Sequence, residues 1–230
     1  MYNVETIAER LKSAYQTIKQ SASEANRPSN EIKLLAVSKT KPVSDIVQAY
    51  EAGQRLFGEN YVQEGVEKVQ ALKHLPDIEW HFIGPIQSNK SRLVAENFAW
   101  VHSIDRLKIA QRLNDQHSPH QQLNVCIQVN IDDEASKSGV PLAEVEALAA
   151  AIMRLPHLKL RGLMTIPKAQ ASEEQQNHSF AAMHALFSKM SKHYPEFDTL
   201  SMGMSSDTKL AIKNGSTMVR IGTAIFGSRQ

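Results

Sequence analysis

Short apolar runs and longer apolar periodicities alternate along this chain from residue 33 onward. The first run, Leu34-Leu35-Ala36-Val37, is long enough for a strand and too short for a helix. With seven runs that follow, strands are predicted at 33–39, 55–59, 79–84, 99–104, 124–130, 158–165, 199–203 and 218–223. Between them, apolar positions recur three and four apart, the helical spacing. They predict helices at 44–51, 61–72 with Val62, Val66 and Val69 on one face, 91–97, 105–117 and 207–213. Two more begin near Pro141, with Val145, Leu148 and Ile152 inward, and at Ser172, whose pairing with Gln175 forms a capping box. Asp105 is placed to cap one helix, and Gly53 and Asn214-Gly215 to close others. Ahead of the repeat, Val4, Ile7, Leu11, Tyr15 and Ile18 predict an amphipathic helix over 3–24, with Asn3 as its cap.

Eight strands, each separated from the next by one helix, imply a parallel sheet with crossover helices. Eight such units in 230 residues without a linker favour a closed (β/α)₈ TIM barrel over a doubly wound sheet. The expectation is one barrel domain over 1–230, an extra N-terminal helix outside the repeat, and no second domain. Composition changes little: 42% hydrophobic and 22% charged residues are ordinary for a soluble globular chain. A net charge of +2 with scattered Lys and Arg gives no reason to expect nucleic acid or an anionic membrane as partner. The single cysteine, Cys126, rules out a disulfide framework and reads as a small core residue. The opening MYNVETIAERLKSAY is charged throughout, and no apolar run approaches about 18 residues, so a cytoplasmic protein is expected.

In a barrel of this kind the residues just after each strand converge on one mouth. Lys39 closes the first strand and brings an amine there, suited to carbonyl chemistry, although a strand-end lysine can equally keep its head in water. After strands seven and eight, where such barrels place phosphate sites, Ser205, Ser206, Gly222 and Thr223 offer hydroxyls and close backbone approach. Ser205 or Ser206 can equally serve as a helix cap. Alternation along strand eight aims Arg220 into the barrel, where its charge needs either a salt bridge, Glu59 being the candidate, or a ligand acceptor. An amine, an anion cradle and an arginine at one mouth match a phosphorylated aldehyde. Pyridoxal 5′-phosphate (PLP) has the aldehyde, the phosphate and a ring nitrogen for Arg220.

The segments AVSKTKP, FGENYVQE, WHFIGPIQSNK, VNIDDEASKSG, GLMTI and SMGMSSDTKLAIKNGSTMVRIGTAIFG resemble the signature segments of the PLP homeostasis (YggS/PROSC) family. That family is related to the N-terminal domain of alanine racemase. The resemblance implies a PLP-bound barrel, monomeric, with Lys39 as the Schiff-base lysine. It also implies Ser205, Ser206, Gly222 and Thr223 around the phosphate, Arg220 near the pyridine nitrogen and Asn60 as a secondary contact.

An arginine at the ring nitrogen donates a hydrogen bond without protonating it, which makes a poorer electron sink. Alanine racemase, by the same comparison, adds a second domain whose tyrosine serves a neighbouring subunit. Of the tyrosines here only Tyr61 falls near the mouth. The first reading is therefore a non-catalytic PLP carrier or regulator acting in vitamin B6 homeostasis, with apo PLP-dependent enzymes as possible recipients. The alternatives are a PLP-dependent racemase or decarboxylase, and a cofactor-free Schiff-base aldolase. Other candidates carry less. His117 and His120 fall in a loop without metal-ligand spacing, and His81 reads as a satisfied core histidine. Phe180, Met183, Phe187 and Met190 read as core packing. Lys137 reads as solvated, with a contact at the mouth as its other option.

Overall fold

In a computed structural model, which describes residues 4–135 and 138–228, eight parallel strands close into a barrel in sequence order. They are β1 (Lys33–Val37), β2 (Leu56–Glu59), β3 (Glu79–Phe82), β4 (Trp100–Ile104), β5 (Leu123–Gln128), β6 (Leu158–Met164), β7 (Thr199–Ser201) and β8 (Met218–Ile221). β8 returns to β1 with Leu35 opposite Arg220, which closes the cylinder. Around it run α1 (Ile7–Glu24), α2 (Val43–Glu51), α3 (Val62–Ala71), α4 (Ser91–Asn97), α5 (Leu107–Gln116), α6 (Val145–Ile152), α7 (Glu173–Ser191), α8 (Thr208–Lys213) and the short α9 (Thr223–Phe226). α1 precedes the repeat and packs on α8 and α9.

The two faces of the strands differ in chemistry. Outward residues such as Leu34, Ala36, Phe57, Phe82, Val101, Val125, Leu163, Leu200 and Val219 join the helices in one continuous apolar layer. Inward residues form two small apolar clusters instead: Leu35, Ile83 and Met218, and Trp100, Cys126 and Met164. The rest of the interior is polar, with His81, His102, Ser201 and Arg220 all buried. Burial pushes the Cys126 thiol well up, so it is an inert core group.

Several local expectations need correction. The Asn3 cap lies outside the described residues. The cap of α1 is Thr6, in a reciprocal capping box with Glu9. Asp105 does not cap α5; its Oδ2 accepts the Gly139 N–H at 3.0 Å, a loop contact that spacing cannot reveal. On α3 the valines are half-buried, and Gly65 and Lys68 are the buried positions. Gly65 brings the helix so close to Phe98 that a Cβ there would meet its ring at 2.8 Å. Lys68 turns in toward β2 because a carboxylate waits there. β1 ends at Val37, and β8 at Ile221, so Lys39 lies in a turn and Thr223 opens α9.

Candidate functional site at the barrel mouth

A cavity of about 530 Å³ opens at the C-terminal ends of the strands. Lys39, Asn60, Ser205, Ser206, Arg220, Gly222 and Thr223 all line it, so the residues expected from the sequence to hold the cofactor come to one place. Val37, Ile83, Ile166 and Met204 supply its apolar wall. Surface depressions of about 640 and 940 Å³ lie elsewhere, yet they gather no comparable set of an amine, hydroxyls and a buried cation.

Lys39 is half-buried, and nothing among the described residues takes a hydrogen bond or ion pair from its Nζ. Its backbone, by contrast, is held tightly. Thr40 sits at φ +65°, a left-handed conformation uncommon for a β-branched residue. The turn is fastened from behind by a buried ionic cluster. Thr40 N–H donates to Glu64 Oε1, and Lys68 Nζ donates to the Ser38 carbonyl at 2.7 Å. Lys68 also pairs with Glu59 at 2.7 Å and Glu64 at 2.8 Å, while Ser38 Oγ donates to Glu59 Oε2 at 2.8 Å. Burial pushes the Glu59 carboxyl up, and Lys68 and Ser38 pull it back. Glu59 is therefore not the partner of Arg220, the salt bridge the sequence left open, because Lys68 claims it.

Arg220 forms the floor of the cavity at 4% exposure. Nη1 donates to Ser201 Oγ and Nη2 to the Thr165 carbonyl, both at 2.8 Å. Those contacts use two of the five N–H donors a guanidinium carries. No carboxylate among the described residues lies within ion-pair distance of it. Burial pulls its pKa down to about 10, against the pull of Asp207, so it is still a cation at neutral pH.

The opposite wall is lined by hydroxyls. Gly203, at φ +105°, packs where a Cβ would meet Ala211 at 2.7 Å, and so brings the Met204–Asp207 turn in close. Asp207, not Ser205 or Ser206, occupies the position before α8. It accepts the Met204 N–H at 2.6 Å, which leaves both serine hydroxyls exposed toward the cavity. Thr223 adds a third hydroxyl, and the first amides of α9 have no partner inside their own helix. Gly222 lies against Val37, with a Cβ position 3.2 Å from its carbonyl oxygen.

Asn60 supplies the remaining test of fit. Its Oδ1 is buried and has no hydrogen-bond partner among the described residues, a cost that a ligand donor would remove. Gly84 fixes the Asn60 backbone, since a Cβ there would overlap the Asn60 carbonyl. An orphaned acceptor, a free amine, an uncompensated cation and a hydroxyl-lined turn around one cavity fit a phosphorylated aldehyde with a ring nitrogen. Asn130 is not part of this set; its side chain bonds the backbone of Glu134. Lys137 lies outside the described residues. Sequence reading missed Lys68, Glu64, His102 and Ser201. The one visible signal was the Glu64–Lys68 spacing of four on a helix, which ordinarily marks a solvated pair.

Residues 8–230 match the family model of the alanine racemase N-terminal domain. A pyridoxal phosphate homeostasis protein of Vibrio alginolyticus is 58% identical over 228 residues, covering 97% of this chain and 98% of its own. A protein of the same name from Escherichia coli strain K12 is 56% identical over 226 residues, covering 97% of each. The structure of PipY from Synechococcus elongatus PCC7942 with PLP bound is 36% identical and superposes with a TM-score of 0.82, covering 96% of this chain and 100% of its own. An alanine racemase from Corynebacterium glutamicum shares the fold, at 19% identity and a TM-score of 0.73, with 61% of its length matched.

Proposed function

This chain belongs to the pyridoxal phosphate homeostasis proteins, and on that premise we propose that it binds PLP at the barrel mouth and serves vitamin B6 homeostasis as a carrier and regulator. The observation that carries the reading is the unpartnered Lys39 amine sharing one cavity with the buried Arg220 and the three hydroxyls. The cofactor brings an aldehyde, a phosphate and a pyridine nitrogen. Lys39 would supply the amine for a Schiff-base link to that aldehyde. Ser205, Ser206 and Thr223, with Gly222 allowing close approach, hold the phosphate. Arg220 turns its remaining donors to the ring nitrogen, and Asn60 Oδ1 accepts from the ligand.

The same residues argue for holding the cofactor rather than turning over a substrate. A guanidinium whose pKa is about 10 donates a hydrogen bond at neutral pH without giving up its proton. Tyr61 is 49% exposed and stands outside the residues that line the cavity, so it offers no positioned acid or base. An open mouth leaves the cofactor within reach of an apo-enzyme. Support for this reading comes also from PipY, which was solved with PLP bound.

The test is spectroscopic. PLP added to the purified protein is expected to give a visible band, and borohydride is expected to fix the label on Lys39. Lys39→Ala is expected to abolish the fixed label while weak phosphate-dependent binding persists. A label that stays covalently attached in Lys39→Ala, or conversion of L-alanine to D-alanine at ordinary enzymatic rates, would overturn the proposal.

A further inference from the structure

The barrel interior contains a continuous line of hydrogen bonds that the cofactor site does not account for. It starts at Arg220 Nη1, which lies 2.8 Å from Ser201 Oγ. Ser201 Oγ lies 2.9 Å from His102 Nδ1. His102 Nε2 lies 2.8 Å from His81 Nδ1, and His81 Nε2 lies 2.8 Å from Glu79 Oε1. The line thus crosses from β8 at the mouth through β7 and β4 to the start of β3 at the far end. Ser201, His102 and His81 are all buried, whereas the Glu79 side chain is 38% exposed at the barrel's other opening.

With both imidazoles neutral, the two ends fix the direction of every bond. A guanidinium can only donate, and an ionised carboxylate can only accept. Ser201 therefore accepts from Arg220 and gives its single proton to His102 Nδ1. His102 must then carry its proton on Nε2 and donate to His81 Nδ1. His81 carries its proton on Nε2 and donates to Glu79. With both imidazoles neutral, each donor meets one acceptor and nothing in the line is left over. An extra proton on either ring would face another N–H or strand the serine hydroxyl. Burial pushes both imidazoles below their ordinary 6.5, which agrees with that count. His81 donation and nearby Lys33 and Arg161 hold Glu79 low, so it stays ionised. Trp100 stacks on His81 with ring centroids 5.0 Å apart.

We propose that Ser201, His102, His81 and Glu79 form a one-directional relay of positioning residues that orients Arg220 and sets its strength as a donor to the ligand at the mouth. The remote carboxylate polarises each link in turn, so the buried guanidinium is balanced across the barrel without a carboxylate beside it. A salt bridge there would occupy the donors that the ligand needs. The inference rests on the PLP reading only for the identity of the ligand's ring nitrogen.

Two measurements test it. Nitrogen NMR of the cofactor-free protein is expected to find His81 and His102 both neutral and both protonated on Nε2 at pH 7. A ring protonated on Nδ1, alone or together with Nε2, overturns the relay whether or not PLP binds. With PLP added, Ser201→Ala is expected to weaken binding about tenfold or more, the effect of removing one hydrogen bond from a charged group. The visible band is expected to shift in position as well, and Ser201→Thr, which keeps the hydroxyl, to restore both. Unchanged affinity and an unchanged band in a folded Ser201→Ala protein overturn the relay. Failure of the native protein to bind PLP overturns the cofactor reading and leaves the NMR result to decide the relay.

Discussion

Lys39 and Arg220 face the same cavity, yet the protein holds them by opposite ends. Lys39 is held by its backbone: the carbonyl before it accepts from Lys68, the N–H after it donates to Glu64, and no described residue bonds its amine. Arg220 is held by its head group, with Ser201 and the Thr165 carbonyl accepting two of its hydrogen bonds. The supports differ in kind as well. Behind Lys39 stands a cluster of ions, Lys68 with Glu59 and Glu64. Behind Arg220 stands a line of neutral groups that reaches a carboxylate only at the far opening. The difference follows from what each group must do. A nucleophile needs an unpartnered head, so its order has to come from the chain on either side. A buried cation with no acceptor is too costly to keep, so its order has to be at the head.

The widest separation between the two supports is in stability. Lys68→Met removes the only cation recorded against Glu59 among the described residues and leaves a buried charge behind. The expected loss is about 3–5 kcal/mol by urea unfolding, most of it recovered when Glu59→Gln is added. A loss below about 1 kcal/mol would mean that the cluster is not what holds the turn.

Acid should push the two supports in opposite directions. His81 and His102 sit below 6.5 in the folded state, so the unfolded chain binds more protons and stability falls as pH drops below about 6.5. The slope per histidine is at most about 1.4 kcal/mol per pH unit. Glu59 sits above 4.5 when folded, so the native chain takes up that proton first and acid partly offsets the loss. Urea midpoints are expected to decline from pH 7 to pH 5, and to decline more steeply in Glu59→Gln. The reverse ranking of slopes would exchange the two assignments.

The smallest effect belongs to Glu64, whose side chain is 29% exposed and which shares Lys68 with Glu59. Glu64→Ala frees the Thr40 N–H and is expected to cost about 1 kcal/mol. Its sharper consequence is kinetic, a slower covalent capture of PLP by Lys39 at nearly unchanged phosphate affinity, followed by stopped-flow absorbance. Equal loss in capture and in phosphate affinity would place Glu64 in general folding rather than in holding the turn.

The barrel itself was legible because short apolar runs and helical periodicities alternate through eight strands, and alternation of that kind leaves few ways to pair strands. Most site residues were legible because they follow a strand, and in a parallel barrel all strands end at one mouth; Arg220 lies within β8 and was legible from the alternation along it. Lys68 was not, since a lysine four residues after a glutamate on a helix reads as a solvated pair until the strand that opposes it is known. His102 and Ser201 were silent for the same reason. A polar residue inside a predicted strand says that a polar group is buried, not what it meets. The end of β8 was overextended because Gly222 and Thr223 continue the apolar alternation while their backbone already turns into α9.

By itself the sequence predicted most of the apolar residues that leave water and the strands that would carry an amine, an arginine and a group of hydroxyls to one mouth. Those properties are local, written in the spacing of side chains along one segment. Tertiary structure decided who stands behind whom: Lys68 against Glu59 rather than Arg220, and Glu79 linked to Arg220 through two imidazoles and a serine. Lateral partners are chosen when the sheet closes and β8 meets β1, and closure depends on the register of all eight strands at once.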